Sequence, residues 1–215
     1  MQITDMQAHA DQVFERLQNA YPDAHCELDF RTPYQLLVAT IMAAQSTDQQ
    51  VNRLTERLFA DHPTPESMIS LTLEELEDYI RGCGLYRNKA RHILATSQIL
   101  IAEYGGEVPR TLDELVRLPG VGRKTANVVL SNAFGLPAFA VDTHVLRVSR
   151  RLGLSSGKNP DQVEKDVTAL LPPERWKDAH HWLIWHGRRC CHARKPQCEV
   201  CPLQDICPAV QKQPS

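Results

Sequence analysis

The sequence predicts an all-α fold. Apolar residues recur at helical spacing almost throughout, and helix start and stop residues punctuate the chain. No run of alternating β-branched residues and no Asn-Gly turn announces a pair of strands. The 215 residues suffice for one large domain or two modest ones, and 42% hydrophobic with 23% charged residues is an ordinary globular composition.

Thr32-Pro33 reads as an N-cap with proline at the first helical position, leading into Leu36, Leu37 and Ile41. Val51, Leu54 and Leu58 line one face of the next helix. Thr72-Leu73-Glu74-Glu75 is a capping box, with Gly82 and Gly84 as the stop. Ile93, Leu94, Leu100 and Ile101 mark a further helix ended by Gly105-Gly106, and Thr111-Leu112-Asp113-Glu114 repeats the capping-box pattern. Asn159-Pro160 opens a helix carrying Val163, Val167, Leu170 and Leu171. Trp182, Leu183 and Trp185 lie on another that is expected to stop at Gly187. No internal repeat and no Gly/Ser-rich linker divides the chain, so any domain boundary is tight.

The most apolar run, Leu36 to Ala44, is far shorter than the ~20 residues a membrane-spanning helix needs. Met1 to Gln12 show no basic leader followed by an apolar stretch, so a cytoplasmic location is expected. The formal charge is −2, but it is polarised. Residues 1–116 hold 9 Lys and Arg against 18 Asp and Glu; residues 117–215 hold 15 against 8. The second stretch can therefore present a basic face to a polyanion although the whole chain is mildly acidic. Chance segregation of surface charge is the plainer explanation, and only motifs decide between the two.

The first such motif runs Leu118-Pro119-Gly120-Val121-Gly122-Arg123-Lys124-Thr125-Ala126. One helix is expected to end near Leu118 and another to begin near Arg123. Two glycines let the backbone turn tightly and approach a ligand, with N–H groups at the positive end of a helix dipole. That is a phosphate-binding arrangement, although Pro and Gly also mark plain helix–turn–helix corners. Lys124 sits on the first turn of the second helix, where a simple charge contact is the ordinary role. Asp142, in Val141-Asp142-Thr143-His144-Val145, reads as an N-cap whose ionised form is favoured at a helix start.

A lysine and an aspartate beside a phosphate-gripping turn also suggest chemistry. A free lysine amine has a pKa of about 10.4, so a nucleophilic one needs its charged form disfavoured by desolvation or nearby cations. A carboxylate can accept a proton or stabilise a cationic sugar. These are the demands of glycosidic-bond cleavage through an imine.

The tail carries the second motif. Of seven cysteines, Cys190, Cys191, Cys198, Cys201 and Cys207 crowd near the C-terminus, which reads as metal ligands rather than disulfides. The spacing Cys191-x6-Cys198-x2-Cys201-x5-Cys207 has one short pair and two longer arms, which favours a [4Fe–4S] cluster over zinc. Cys190 is an unmatched neighbour. Arg194 and Lys195 lie on the longest arm, where a clamped loop could hold positive charge against DNA phosphates.

Together these residues resemble the helix-hairpin-helix DNA glycosylases, from about Leu36 to Cys207. Leu118 to Leu130 resembles that family's hairpin and nucleophile helix, Ala140 to His144 its aspartate segment, and the tail cysteines its four cluster ligands. The resemblance implies a six-helix barrel domain over residues 26–136, inserted into an iron–sulfur cluster domain of residues 1–25 and 137–215. The active site would lie in the cleft between them. It implies a bifunctional DNA glycosylase/AP lyase acting, as a monomer, on double-stranded DNA that contains damaged pyrimidines or abasic sites. Lys124 would attack C1′ of a flipped-out nucleotide, expel an oxidised pyrimidine and form a Schiff base; β-elimination would then nick the strand. Asp142 would assist the lysine and stabilise the sugar cation.

The resemblance further implies that Gln45, in Ala44-Gln45-Ser46-Thr47-Asp48, and Leu85, in Gly84-Leu85-Tyr86, fill the hole left by the extruded nucleotide. By residue type alone Gln45 is a polar helix-end residue and Leu85 belongs in a core. Two other readings compete. An adenine-removing mismatch glycosylase would use a Glu on the first barrel helix, but Val38-Ala39-Thr40-Ile41-Met42 offers none, and few residues follow Cys207. A non-catalytic or redox-sensing DNA-binding protein on the same scaffold is opposed by the intact Lys124 and Asp142.

Overall fold

In the computed structural model, which describes residues 3–211, every regular element among the described residues is helical. Residues 1–2 and 212–215, the outermost part of the expected cluster domain, lie outside the described residues. Two compact units divide the chain: Cys26–Leu136, and Met1–His25 together with Pro137–Ser215.

The Cys26–Leu136 unit is built around α2, Pro33–Ala43, whose residues from Tyr34 to Met42 are all buried. A helix that is apolar on every side has to lie inside, and α2 packs against α3 (Asp48–Asp61), α6 (Tyr86–Tyr104) and α8 (Arg123–Ala133). The short helices α4 (Pro65–Met68), α5 (Leu73–Tyr79) and α7 (Leu112–Leu115) complete the unit, α4 and α5 against α6 and α7 against α8. Capping follows the sequence closely. Thr32 accepts a hydrogen bond from the Gln35 N–H, with Pro33 inside the first turn. Thr72 and Glu75 form the reciprocal box. The same pattern at Thr111 forms only in part: Thr111 accepts from the Glu114 N–H, but Glu114 takes the Thr111 hydroxyl instead of its backbone N–H. Gly82 and Gly84 do not stop α5, which ends at Tyr79 through Ile80; both lie in the connection to α6.

The other unit packs α1 (Ile3–Ala20), α9 (Thr143–Arg151) and α10 (Pro160–Thr168) with α11 (Trp176–Arg189) and the short α12 (Pro208–Gln211). Its core joins Phe14, Leu17, Phe139, Val145, Val148, Val163, Val167 and Leu183. Asn159 caps α10 as expected, though the helix ends at Thr168, so Leu170 and Leu171 follow it rather than ride on it. Gly187 is not a helix stop, since α11 continues to Arg189. A side-chain carbon there would lie 3.0 Å from His144 Cβ and 3.1 Å from Val148 Cγ2, so this glycine lets α9 and α11 approach closely. Sequence punctuation and helix contact use the same residue, and here contact wins.

Candidate functional site

The hairpin is assembled from tight turns. Leu118 and Val121 N–H groups donate back to the Leu115 and Leu118 carbonyls, and Thr96 Oγ1 donates to the Pro119 carbonyl at 3.0 Å. Helix α7 ends at Leu115, earlier than the expected end near Leu118, while α8 starts at Arg123 as expected. The two glycines do different work. Gly120 has φ +78, and a side-chain carbon would come within 2.8 Å of His92 Nδ1, so the turn itself requires glycine. Gly122, the N-cap of α8, has φ −92 and ψ 174, which any residue adopts. Nothing lies within 4 Å of where its side chain would be. Neither backbone nor packing demands a glycine at this helix start. Arg123 and Lys124 follow at once on the first turn, both exposed.

Asp142 begins α9 in the other unit. Its Oδ1 accepts the Val145 N–H at 2.8 Å, so the capping role is realised and orients the half-buried carboxylate. Beside it, burial pulls the His144 imidazole below its ordinary pKa, while Asp142 pushes the other way.

Gln45 and Leu85 come together within the Cys26–Leu136 unit. Both are exposed and left-handed, with φ 58 and φ 57, and Leu85 is 58% exposed where residue type alone suggests a core position. The third non-glycine residue of positive φ among the described residues is Lys195, at φ 53. Such backbone costs an L-residue of order 1 kcal/mol or more, and it clusters where function needs a particular side chain. Gln45 and Leu85 are the residues the family resemblance implies at the DNA, and Lys195 is one the cysteine spacing suggests. Their loops are short and held at both ends. The Gly84 N–H donates to Ser46 Oγ at 3.1 Å, and Gln50 Nε2 to the Gly82 carbonyl at 2.9 Å. Sequence reading missed Lys89. It is 4% exposed and lies on α6 in the helical phase of buried Ile93, Thr96 and Leu100. A lysine in that phase was the available signal.

In the tail, Cys191, Cys198, Cys201, Cys207 and also Cys190 line one cavity of ≈ 120 Å³, together with His186 and Arg151. Thiols as the main donors around one space are the chemistry an iron–sulfur cluster asks of its ligands. Arg151 Nη1 donates to Cys191 Sγ at 3.3 Å and to the His192 carbonyl at 2.6 Å, and the Leu203 N–H to Cys201 Sγ at 3.4 Å. Such outer contacts orient ligands. His186, whose Nε2 is 3.7 Å from Cys201 Sγ and whose Nδ1 pairs with Tyr21 Oη at 3.1 Å, was not anticipated. Cys190 Sγ donates to the Gln197 carbonyl at 3.6 Å. Arg194 and Lys195 are exposed on the loop between Cys191 and Cys198.

Residues 38–173 match the model of the HhH-GPD superfamily base excision DNA repair proteins. Residues 191–207 match the iron–sulfur binding domain of endonuclease III, a range that begins at Cys191 and leaves out Cys190. The chain is 50% identical to endonuclease III of Bacillus subtilis (strain 168) over 199 residues, covering 92% of this chain and 91% of that one. Among solved structures, a non-covalent endonuclease III–DNA complex superposes with a TM-score of 0.92 at 50% identity, covering 96% of this chain and 97% of the other. A trapped endonuclease III–DNA covalent intermediate superposes with a TM-score of 0.91 at 49% identity, over 99% and 98%.

Proposed function

Because the chain belongs to the HhH-GPD superfamily of base excision DNA repair proteins, we propose that it excises oxidised pyrimidines from duplex DNA with Lys124 as the nucleophile. It is a DNA-binding glycosylase with AP lyase activity and carries a [4Fe–4S] cluster in its tail. The observation that carries the residue assignment is the start of α8. There a glycine that neither backbone nor packing requires stands two residues before an exposed lysine. A phosphate drawn to Gly122 and the helix dipole would set the adjoining sugar at Lys124. That a solved relative was captured as a covalent intermediate with DNA supports a covalent nucleophile on this scaffold.

The neutral Lys124 amine forms a bond to C1′ while the C1′–N1 bond breaks and the base leaves with the bonding pair, and the new C1′–NH2+ group gives up one proton, which the departing base takes. The ring C1′–O4′ bond then opens, O4′ is protonated, and a C1′=N iminium remains. Loss of a C2′ proton expels the 3′ phosphate by β-elimination, and water releases the sugar from the amine. Asp142 is the carboxylate that moves protons and stabilises cationic charge at the sugar. Gly120, Gly122, Arg123, Arg194 and Lys195 grip phosphates, and Gln45 and Leu85 occupy the space of the extruded nucleotide. Cys191, Cys198, Cys201 and Cys207 ligate the cluster, which holds the Arg194–Lys195 loop in shape. A cytoplasmic setting fits cysteines used as cluster ligands, and no described helix is long and apolar enough to cross a membrane.

Borohydride trapping on a thymine-glycol duplex tests the assignment. Wild-type protein is expected to become covalently linked, and Lys124→Gln to lose the adduct while keeping duplex binding within a few-fold. An adduct that survives in Lys124→Gln removes Lys124 from the role.

A further inference from the structure

The Lys89 ammonium is buried, yet among the described residues no carboxylate bonds to it. Nζ donates to the Met42 carbonyl at 2.6 Å, the Ala44 carbonyl at 2.5 Å and Ser46 Oγ at 3.2 Å, and lies 3.7 Å from Cys83 Sγ. Met42 and Ala44 belong to the last turn and C-cap of α2, the negative end of that helix, and Gln45 is the next residue. Ser46 also accepts the Gly84 N–H, one residue before Leu85. One cation from the first turn of α6 therefore touches the segments on either side of Gln45 and the cysteine two residues before Leu85.

We propose that Lys89 is a positioning residue that locks the Gln45 and Leu85 loops into a single rigid wedge for entering the base stack. The proposal rests on reading those two residues as the wedge.

Three facts carry it. Helix α2 could have ended on glycine, the usual left-handed C-terminal residue, without any buried cation. Instead the left-handed position holds glutamine, and a second left-handed residue, leucine, stands at the other loop. Glycine would relieve the strain at both places but would present no side chain. Burying an ammonium costs several kcal/mol unless its donors are met; here the three oxygen partners, Met42, Ala44 and Ser46, all lie on the Gln45 side, and Cys83 Sγ at 3.7 Å is the contact on the Leu85 side. Burial pulls the Lys89 amine below the ordinary lysine value, and the Cys83 thiol opposes that pull. A structural lysine meant only to close a helix end would have no need to reach the second loop.

The test uses the full-length holoenzyme and a duplex carrying a tetrahydrofuran abasic site opposite 2-aminopurine, whose fluorescence rises when it is unstacked. Lys89→Met is expected to reduce that rise and to lower kcat/KM on thymine-glycol duplex about tenfold, the scale of losing hydrogen bonds from a charged donor. Ser46→Ala should give a smaller loss in the same direction. The Lys89→Met/Leu85→Ala double variant should be no worse than the worse single variant, because both act through one wedge. A folded Lys89→Met with the wild-type fluorescence rise overturns the proposal, as do losses that multiply with Leu85→Ala. Should Lys89→Met fail to fold, Ser46→Ala decides, and an unchanged rise there overturns it. If Gln45→Ala and Leu85→Ala both keep the full rise, the wedge reading itself falls and the role of Lys89 falls with it.

Discussion

A side-chain carbon on Gly84 would lie 2.9 Å from the carbonyl oxygen of Gln45, closer than such atoms pack. The two loops meet at this point, backbone against backbone. No positive φ is involved at Gly84, so the glycine is there for space alone. Gly84→Ala should push the loops apart by a few tenths of an ångström and cost about 1–3 kcal/mol, the usual range for overpacking. Unstacking of 2-aminopurine opposite an abasic site should weaken in parallel. A variant with wild-type stability and full unstacking would show that the loops do not need this contact.

The hairpin glycines should separate cleanly. Gly120→Ala meets both a strained φ of +78 and the His92 ring at 2.8 Å, so it should destabilise the protein by a few kcal/mol. Gly122→Ser meets neither obstacle and supplies a good N-cap. Its melting temperature should hold or rise slightly, while duplex affinity falls several-fold because the new side chain occupies the space of a phosphate. Thermal melts and a salt series of binding measurements check both halves. Full affinity in Gly122→Ser would mean that no phosphate comes to this helix start.

Much of this was legible before any coordinates. Helix starts were readable because an N-cap is a local device: Thr32, Thr72, Asp142 and Asn159 each reach a backbone N–H three residues on. The hairpin and the cysteine spacing were readable because ligand geometry restricts both. Helix ends were less so, since a glycine such as Gly187 serves tertiary contact as readily as termination. The environment of Lys89 was hidden for a different reason. Its partners are backbone carbonyls of a helix far away in sequence, and a carbonyl acceptor leaves no trace in residue type. The same holds for Leu85, whose exposure depends on a left-handed backbone that its side chain does not favour.

Cys190 offers a sharp check on the cluster. Its thiol lines the same cavity as the other four and lies near His186 and Cys201, close enough to imitate a ligand set. It nevertheless falls outside the 191–207 match and bonds the Gln197 carbonyl. Cys190→Ala should keep four iron and four sulfide per chain and the brown colour of the cluster. Cys198→Ala should lose iron and loosen the Arg194–Lys195 loop, weakening duplex binding more than folding of Cys26–Leu136. Loss of iron in Cys190→Ala would move the ligand set by one residue.

The stability of the α11 unit should depend on pH through His181. This side chain is 4% exposed, and burial first, then the neighbouring His180, Lys177, His25 and Arg188, holds its pKa down to about 2. An unfolded histidine titrates near 6.5. Above that pH neither state binds the proton, and His181 costs nothing. As pH falls below it, the unfolded chain takes up a proton that the native one refuses, and native stability drops by up to about 1.4 kcal/mol per pH unit. His181→Gln carries no such proton in either state. Denaturant titrations of both holoproteins between pH 7.5 and 5.5 should therefore show the wild type losing its advantage over the variant steadily below pH 6.5. Parallel curves across that window would mean that His181 protonates as freely folded as unfolded, and that its burial does not govern its charge.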